Sequence, residues 1–224
     1  MGYTGVATFN GVPGISNIWV GCSKGLVRFR QNQVVPVSLP QRYQKLTLLA
    51  GEDGEILIGT MNRKPLLHIR GGRLLFEKVG ERASSVFRSS NGDIWWGCDT
   101  GIWRQHGRRF KHFPLPKATE PPNFIYEIIP SRDAGGLWVR VGDFGLVHFK
   151  QGVWNLKDRP KGVPIAGPSA TYHDPSGRVW LGFTSGQVYL LNGEQLTSYS
   201  QNDGVELRSL AALGSTSGWA VNLD

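Results

Sequence analysis

One short pattern returns along almost the whole chain and limits what the chain can fold into more than any other feature. A turn is followed by a β-branched residue or Leu, then Trp, an apolar residue and Gly; after a few polar residues a second Gly opens another apolar stretch. The copies read NIWVGCSKGLVRF (Asn17 to Phe29), EILIGTMNRKPLLHI (Glu55 to Ile69), DIWWGCDTGIWR (Asp93 to Arg104), GLWVRVGDFGLVHF (Gly136 to Phe149) and RVWLGFTSGQVYLL (Arg178 to Leu191), and a sixth begins at Trp219 and breaks off. The anchor positions Trp19, Leu57, Trp95, Trp138, Trp180 and Trp219 are separated by 38, 38, 43, 42 and 39 residues. Six anchors in near-register define a repeat of roughly 40 residues.

A period of that length, with several short strands per unit, specifies four-stranded antiparallel blades. The fold expected is all-β: a β-propeller of about five blades, forming one region over residues 1–224. Composition agrees. The 30 glycines and 13 prolines supply turns, and the 24 aromatic residues suit strands. No 15-residue stretch keeps a helical apolar period free of Gly or Pro. In the third unit, turn chemistry places strand A at Ala83 to Arg88, the Asn91-Gly92 hairpin, strand B at Ile94 to Gly97, strand C at Gly101 to Gln105 and strand D at Arg109 to Phe113. The strand-B Trp is expected to pack between neighbouring blades.

The chain opens with GVPGIS directly before the first strand B, which leaves no room for a full strand A there, while Arg208 to Leu213 reads as a strand A near the other end. Two arrangements fit. The last strand A completes the first blade and closes five blades into a ring, or the chain is an open arc cut from a larger propeller.

The pattern D/N-G-x-φ-W-φ-G-T-x-x-G-L-φ-x-F, with φ apolar, resembles that of the two-component regulator propellers, found in the sensor region of hybrid histidine kinases. The first, third and fifth copies fit best; the second has Leu57 for Trp and lacks the later Gly, and the fourth has Arg140 where Gly is expected. The resemblance implies a ligand-sensing or interaction module that takes a small molecule or oligosaccharide. It also implies a periplasmic setting if the chain is part of an exported sensor, and downstream signalling domains that this chain does not contain.

Catalytic candidates are few. Gly21-Cys22-Ser23-Lys24-Gly25 matches the G-x-S-x-G nucleophile pattern, but that elbow requires a strand-to-helix turn and both flanks here are strands. Cys22 and Cys98 are a full blade apart and read as free thiols. The five histidines show no zinc spacing, and His68 and His148 are expected to face solvent. Asp53, Asp93, Asp133 and Asp174 stand at hairpin turns, which accounts for them. No catalytic set, metal site or cofactor is expected. A propeller enzyme, a lyase or hydrolase acting on a glycan, and a protein-binding scaffold are the alternatives to a sensor.

A binding site belongs where the D-to-A and B-to-C loops converge on one face. Those loops hold Arg42 and Tyr43, Arg63 and Lys64, Arg82, Asp99, Asn123 and Phe124, and Asp143 and Phe144. The ligand-binding set expected is Arg42, Tyr43, Arg63, Arg82, Asp99, Phe124 and Asp143, because arginine beside an aromatic ring suits a carboxylated or sulfated sugar. The formal charge of +8, with no acid in the first 51 residues, favours anionic partners in general. No basic run is interleaved with aromatics, so nucleic acid is not the expected partner. No stretch has the length or apolarity to span a bilayer, and MGYTGVATFNGVPG is not a secretory signal.

Overall fold

The structure is a computed structural model. It describes residues 3–11, 15–22, 25–30, 33–41, 43, 46–50, 55–61, 66–77, 81–89, 91–117, 124–131, 136–158, 161–164, 167–168, 170–173, 178–183, 185, 187–192, 195–199, 209–212 and 218–221. These residues hold 22 strands, one short 3-10 turn at Gly142–Phe144 and no α-helix. They fall into two compact units, 1–128 and 129–224.

In the first unit lie three four-stranded antiparallel sheets whose strand order follows the sequence. The first holds β1 (Tyr3–Gly11), β2 (Ile15–Cys22), β3 (Gly25–Arg30) and β4 (Gln33–Val37); the second holds β5 (Leu46–Ala50), β6 (Ile56–Thr60), β7 (Leu66–Arg70) and β8 (Arg73–Glu77). The third holds β9 (Ala83–Arg88), β10 (Ile94–Cys98), β11 (Gly101–His106) and β12 (Arg109–Pro114), within one residue of the limits expected from the turns. The next strand, β13 (Ile125–Pro130), begins at the end of this unit.

The second unit continues with β14 (Gly136–Val141), β15 (Gly145–Lys150) and β16 (Val153–Asn155), which with β13 make the fourth sheet. The fifth contains β17 (Ala170–His173), β18 (Val179–Gly182), β19 (Val188–Asn192) and β20 (Gln195–Tyr199). A last pair, β21 (Ser209–Ala212) and β22 (Gly218–Val221), packs on β17 and β18.

The first sheet corrects one expectation. It has its own strand A, since β1 pairs with β2 from Tyr3↔Cys22 to Gly11↔Ile15. Its two glycines, Gly5 and Gly11, and scattered apolar residues hide it in the sequence, and it lies upstream of the GVPG segment rather than within it. The segment read as a strand A near the other end does form a strand over Ser209–Ala212, which pairs with β22.

Burial follows the strand alternation. The strand-B anchor faces the following sheet: Trp19 and Leu26 pack with Ile56, Ile58, Leu67 and Ile69 of the second sheet. Leu57 and Leu66 pack in turn with Ala83, Ile94, Trp96 and Cys98 of the third, and Trp138 packs on Val179 and Leu181 of the fifth. This is the between-sheet role expected of the Trp positions. The row one residue before the anchor meets the preceding sheet and is buried at Ile56, Ile94 and Val179, all at 8 % exposure or less. In the first sheet the same row, Ile18, Phe29 and Val34, is 40 %, 38 % and 57 % exposed.

The motif glycine two residues after the anchor marks a strand crossing. A Cβ on Gly59 would stand 2.9 Å from the Ala83 carbonyl oxygen on β9, and one on Gly97 would stand 2.5 Å from Ile125 Cγ2 on β13. At these two places strand A lies directly on the strand B before it, so only glycine leaves enough room. The second motif glycine acts differently: Gly101 has φ +153°, and a Cβ there would collide with the Phe113 carbonyl.

Candidate functional site

The end of the third sheet where β9 begins and β10 ends carries a dense polar grouping. Arg82 precedes β9, Asp99 sits in the β10–β11 turn, and Phe124 precedes β13. Arg82 Nε donates to Asp99 Oδ2 at 2.7 Å, and its guanidinium carbon lies 4.5 Å from the centroid of the Phe124 ring. The Asp99 side chain is 12 % exposed and that of Arg82 is 31 % exposed, so the carboxylate is sunk and the guanidinium opens outward. The ion pair and the ring together fix the plane of the guanidinium. No bond to its terminal nitrogens occurs among the described residues.

A second network adjoins it. Glu81 Oε2 accepts from Thr100 N at 3.2 Å and Thr100 Oγ1 at 2.7 Å, and Glu81 Oε1 accepts from Trp103 Nε1 at 3.1 Å. His112 stacks on Trp103 with ring centroids 4.4 Å apart, and its Nε2 is 3.0 Å from Thr100 Oγ1. Because the single hydroxyl proton of Thr100 goes to the carboxylate, His112 Nε2 must be the donor to that oxygen. The hydroxyl therefore points its proton away from the imidazole, which removes Thr100–His112 as a base-activated nucleophile.

Cys98 ends β10 beneath both networks and is a free thiol, 1 % exposed. Burial first, then the negative charges of Glu81 and Asp99, push its pKa far above the ordinary thiol range. It stays protonated and inert at neutral pH. Among the described residues no group of three His, Cys, Asp or Glu side chains is placed to hold a metal ion.

Of the seven residues expected to line a site, the structure brings together Arg82, Asp99 and Phe124. Tyr43 is instead a core residue, 2 % exposed and packed with Trp19 and Leu46. Arg42 and Arg63 lie outside the described residues, as do Lys64 and Asn123. The backbone of Asp143 lies in the Gly142–Phe144 turn of the second unit, and its side chain is outside the description. Sequence reasoning passed over Glu81, Thr100, Trp103 and His112, although Glu81 directly precedes Arg82 and could have been read with it.

Two histidines also differ from expectation. His68 and His148 are buried, at 8 % and 6 % exposure, rather than facing solvent. Each stands opposite a strand-B anchor, His68 against Leu57 and His148 against Trp138. Each also bonds a carboxylate: His68 Nε2 to Glu55 Oε1 at 2.8 Å, and His148 Nδ1 to Asp158 Oδ2 at 2.7 Å. Asp93, read as a turn residue, does close its hairpin, with its backbone N–H donating to Asn91 Oδ1 at 3.1 Å.

No family model matches the chain, and no curated protein matches it. Solved structures do match. Virginiamycin B lyase from Staphylococcus aureus, with quinupristin, aligns with a TM-score of 0.71 at 15 % identity, over 96 % of this chain and 75 % of that one. The fold is a β-propeller.

The extracellular domain of the putative hybrid two-component system BT3049 from B. thetaiotaomicron aligns with a TM-score of 0.67 at 15 % identity, over 98 % of this chain. The propeller spans about a third of that domain's length, 32 %. A gluconolactonase from Xanthomonas campestris aligns with a TM-score of 0.58 at 13 % identity, over 93 % of this chain and 78 % of that one. At these identities the likeness is one of fold.

Proposed function

We propose that this propeller is a ligand-sensing or interaction module of the kind carried in the extracellular region of hybrid two-component systems. It binds an anionic small molecule or an oligosaccharide bearing carboxylate groups, in a periplasmic setting, and passes the signal to domains beyond this chain. The observation that carries the reading is the Arg82 guanidinium, bonded through Nε to Asp99, set against the Phe124 ring and with its side chain 31 % exposed. Such a fork suits a carboxylate by paired hydrogen bonds, and the Phe124 ring beside it suits the flat face of a sugar.

The test is calorimetric titration of the chain with uronate-containing oligosaccharides and with their neutral counterparts. Binding confined to the charged series, and reduced at least about tenfold in Arg82→Met, fits the loss of one charge-assisted pair. Equal binding by Arg82→Met overturns the site.

The likeness to a lyase and a lactonase supports a second reading, a propeller enzyme acting on a glycan or lactone. Turnover of such a substrate by the purified chain would favour it over the sensor.

A further inference from the structure

Each sheet of the first unit ends on an outer strand, β4, β8 or β12, that has a neighbouring strand on one side only. The backbone N–H and C=O groups on the open side of such a strand are a template for another strand. Two of these edges are blocked by their own sequence. β4 carries Pro36, which has no N–H to offer. β12 reads Arg-Phe-Lys-His-Phe-Pro, with basic charge only, so a second copy of it would be repelled.

β8 has neither safeguard. It reads Arg73-Leu74-Leu75-Phe76-Glu77, without proline and with one charge of each sign. Which of its backbone groups are open follows from the turn before it. Arg70 pairs with Arg73 across Gly71 and Gly72, at φ +55° and +73°, a two-residue hairpin whose closing pair exchanges both backbone hydrogen bonds. Alternation then turns the N–H and C=O of Leu75 inward to β7 and those of Leu74 and Phe76 outward. Neither Leu74 nor Phe76 has a backbone partner on that side among the described residues. Leu75 and Phe76 lie on opposite faces of the strand and are 45 % and 55 % exposed.

The strand is complementary to itself when read in the opposite direction. Laid antiparallel on a second copy with Leu75 on the two-fold axis, Leu75 meets Leu75, Leu74 meets Phe76, and Arg73 comes opposite Glu77. The Leu74–Phe76 pairs are the ones whose backbone groups point outward, so each exchanges both of its hydrogen bonds. Other registers also match outward groups, with Leu74 on Leu74 or Phe76 on Phe76, but neither brings Arg73 opposite Glu77. Opposite charges and apolar side chains facing each other across strands favour the register centred on Leu75.

We propose that β8 pairs with β8 of a second copy about a two-fold axis at Leu75, so that the second sheets of two copies run into one another. A contact of one five-residue strand from each copy belongs at the weak end of interface sizes, below about 1,200 Å², so the dimer forms reversibly.

Sedimentation velocity of the 224-residue chain over a roughly hundredfold range of concentration should show a monomer–dimer equilibrium. Phe76→Pro should abolish it. That variant gives β8 the proline that β4 already carries, since Pro36 is as far from the Arg30↔Gln33 pair as Phe76 is from Arg70↔Arg73. Arg73→Glu should weaken the dimer about tenfold, and Arg73→Glu/Glu77→Arg should restore it. In a Cys22→Ala background, Leu75→Cys should give a disulfide-linked dimer on mild oxidation, because the two copies of that position meet on the axis, whereas Leu74→Cys should not. Thermal melts verify that the variants are folded; if Phe76→Pro is not, the charge exchange and the cross-link decide.

A chain that stays monomeric across the range overturns the proposal. So does association that survives a folded Phe76→Pro, that Arg73→Glu leaves unchanged, or that the double exchange fails to restore. Cross-linking of Leu74→Cys as readily as Leu75→Cys overturns the register and the proposal with it. None of these results bears on ligand binding at Arg82, which Arg82→Met tests separately.

Discussion

Replacing Gly97 by Ala sets two effects of known size against each other. Glycine inside a strand is less favourable than alanine by roughly 0.5–1 kcal/mol, because it loses more backbone freedom on folding, so on that ground alone Gly97→Ala would stabilise. The new Cβ, however, would stand 2.5 Å from Ile125 Cγ2 and 3.2 Å from both Ile125 Cβ and Ser85 Cβ. Ile125 is fully buried on β13 and its backbone carbonyl accepts from Ser84 Oγ, so the methyl has nowhere to retreat. Overpacking of this kind costs about 1–3 kcal/mol. The net expectation is a loss of about 0.5–2 kcal/mol, or a fall in Tm of roughly 1–8 °C for a chain of this size. Calorimetry on four proteins decides it: the parent, Gly97→Ala, Ile125→Leu and the double variant. Leu moves the branch away from Cβ at nearly constant volume, so Gly97→Ala should be neutral or stabilising in that background. If Gly97→Ala matches the parent in stability, or loses the same amount with and without the Ile125 branch, the strand-crossing account of the motif glycine is wrong.

Cys98 yields a prediction in pH. Its folded pKa lies above its ordinary value of 9.0, because burial and the nearby Glu81 and Asp99 charges oppose the thiolate. The folded and unfolded chains bind the same proton below about pH 9, whereas above it the unfolded chain releases the proton and the folded chain does not. Stability should therefore be flat in this term at neutral pH and fall as pH rises beyond about 9, with a shallower alkaline fall in Cys98→Ala. In a Cys22→Ala background, dithiobis(nitrobenzoate) should leave the native thiol untouched and titrate it only after denaturation. Trp96 provides a third test: its indole N–H donates to Gln105 Oε1 at 3.2 Å, and both residues are buried. Trp96→Phe strands that amide and should cost about 1–3 kcal/mol by urea titration, with part recovered in Trp96→Phe/Gln105→Leu.

What the sequence disclosed was whatever depends on local chemistry. The Asn91-Gly92 turn and the apolar alternation placed all four strands of the third sheet, and the repeat period placed the other anchors, because turns and alternation are properties of a few neighbouring residues. What it concealed depends on distant partners. His68 and His148 look like solvent-facing residues until Glu55 and Asp158, 13 and 10 positions away, are seen to bond them. Tyr43 lies three positions after Pro40 and sits among polar residues, as a loop residue would, yet its ring is in the core beside Trp19. At the candidate site, Arg82, Asp99 and Phe124 were expected on one face from topology alone. Their mutual contact was not legible, since Phe124 lies 42 positions from Arg82 and belongs to the next repeat.

The places where the repeat departs from its own pattern show what the pattern is for. The strand-C residue opposite each of the first four anchors is Arg28, His68, Arg104 and His148. Where the anchor is Trp, the basic group rests on the ring: Arg28 lies 5.5 Å from the Trp19 ring centroid, Arg104 lies 5.9 Å from that of Trp95, and His148 stacks on Trp138 at 4.4 Å. The second copy has Leu57, which offers no π face. There His68 turns to Glu55, and the same carboxylate reaches across to Arg88 of the third sheet, so an ion pair between sheets takes the place of the ring. The fourth copy carries Arg140 where the crossing glycine should be. The obstacle is met from the other side by Gly167, whose φ of +70° is itself a glycine conformation and on which a Cβ would come within 3.1 Å of Arg140 Nε. Restoring the consensus residue at either place, Trp at 57 or Gly at 140, would thus remove one half of a matched pair. The repeat is conserved along the chain as a set of spatial requirements, a filled anchor with a partner for its strand-C neighbour and a clear crossing, rather than as a string of residues.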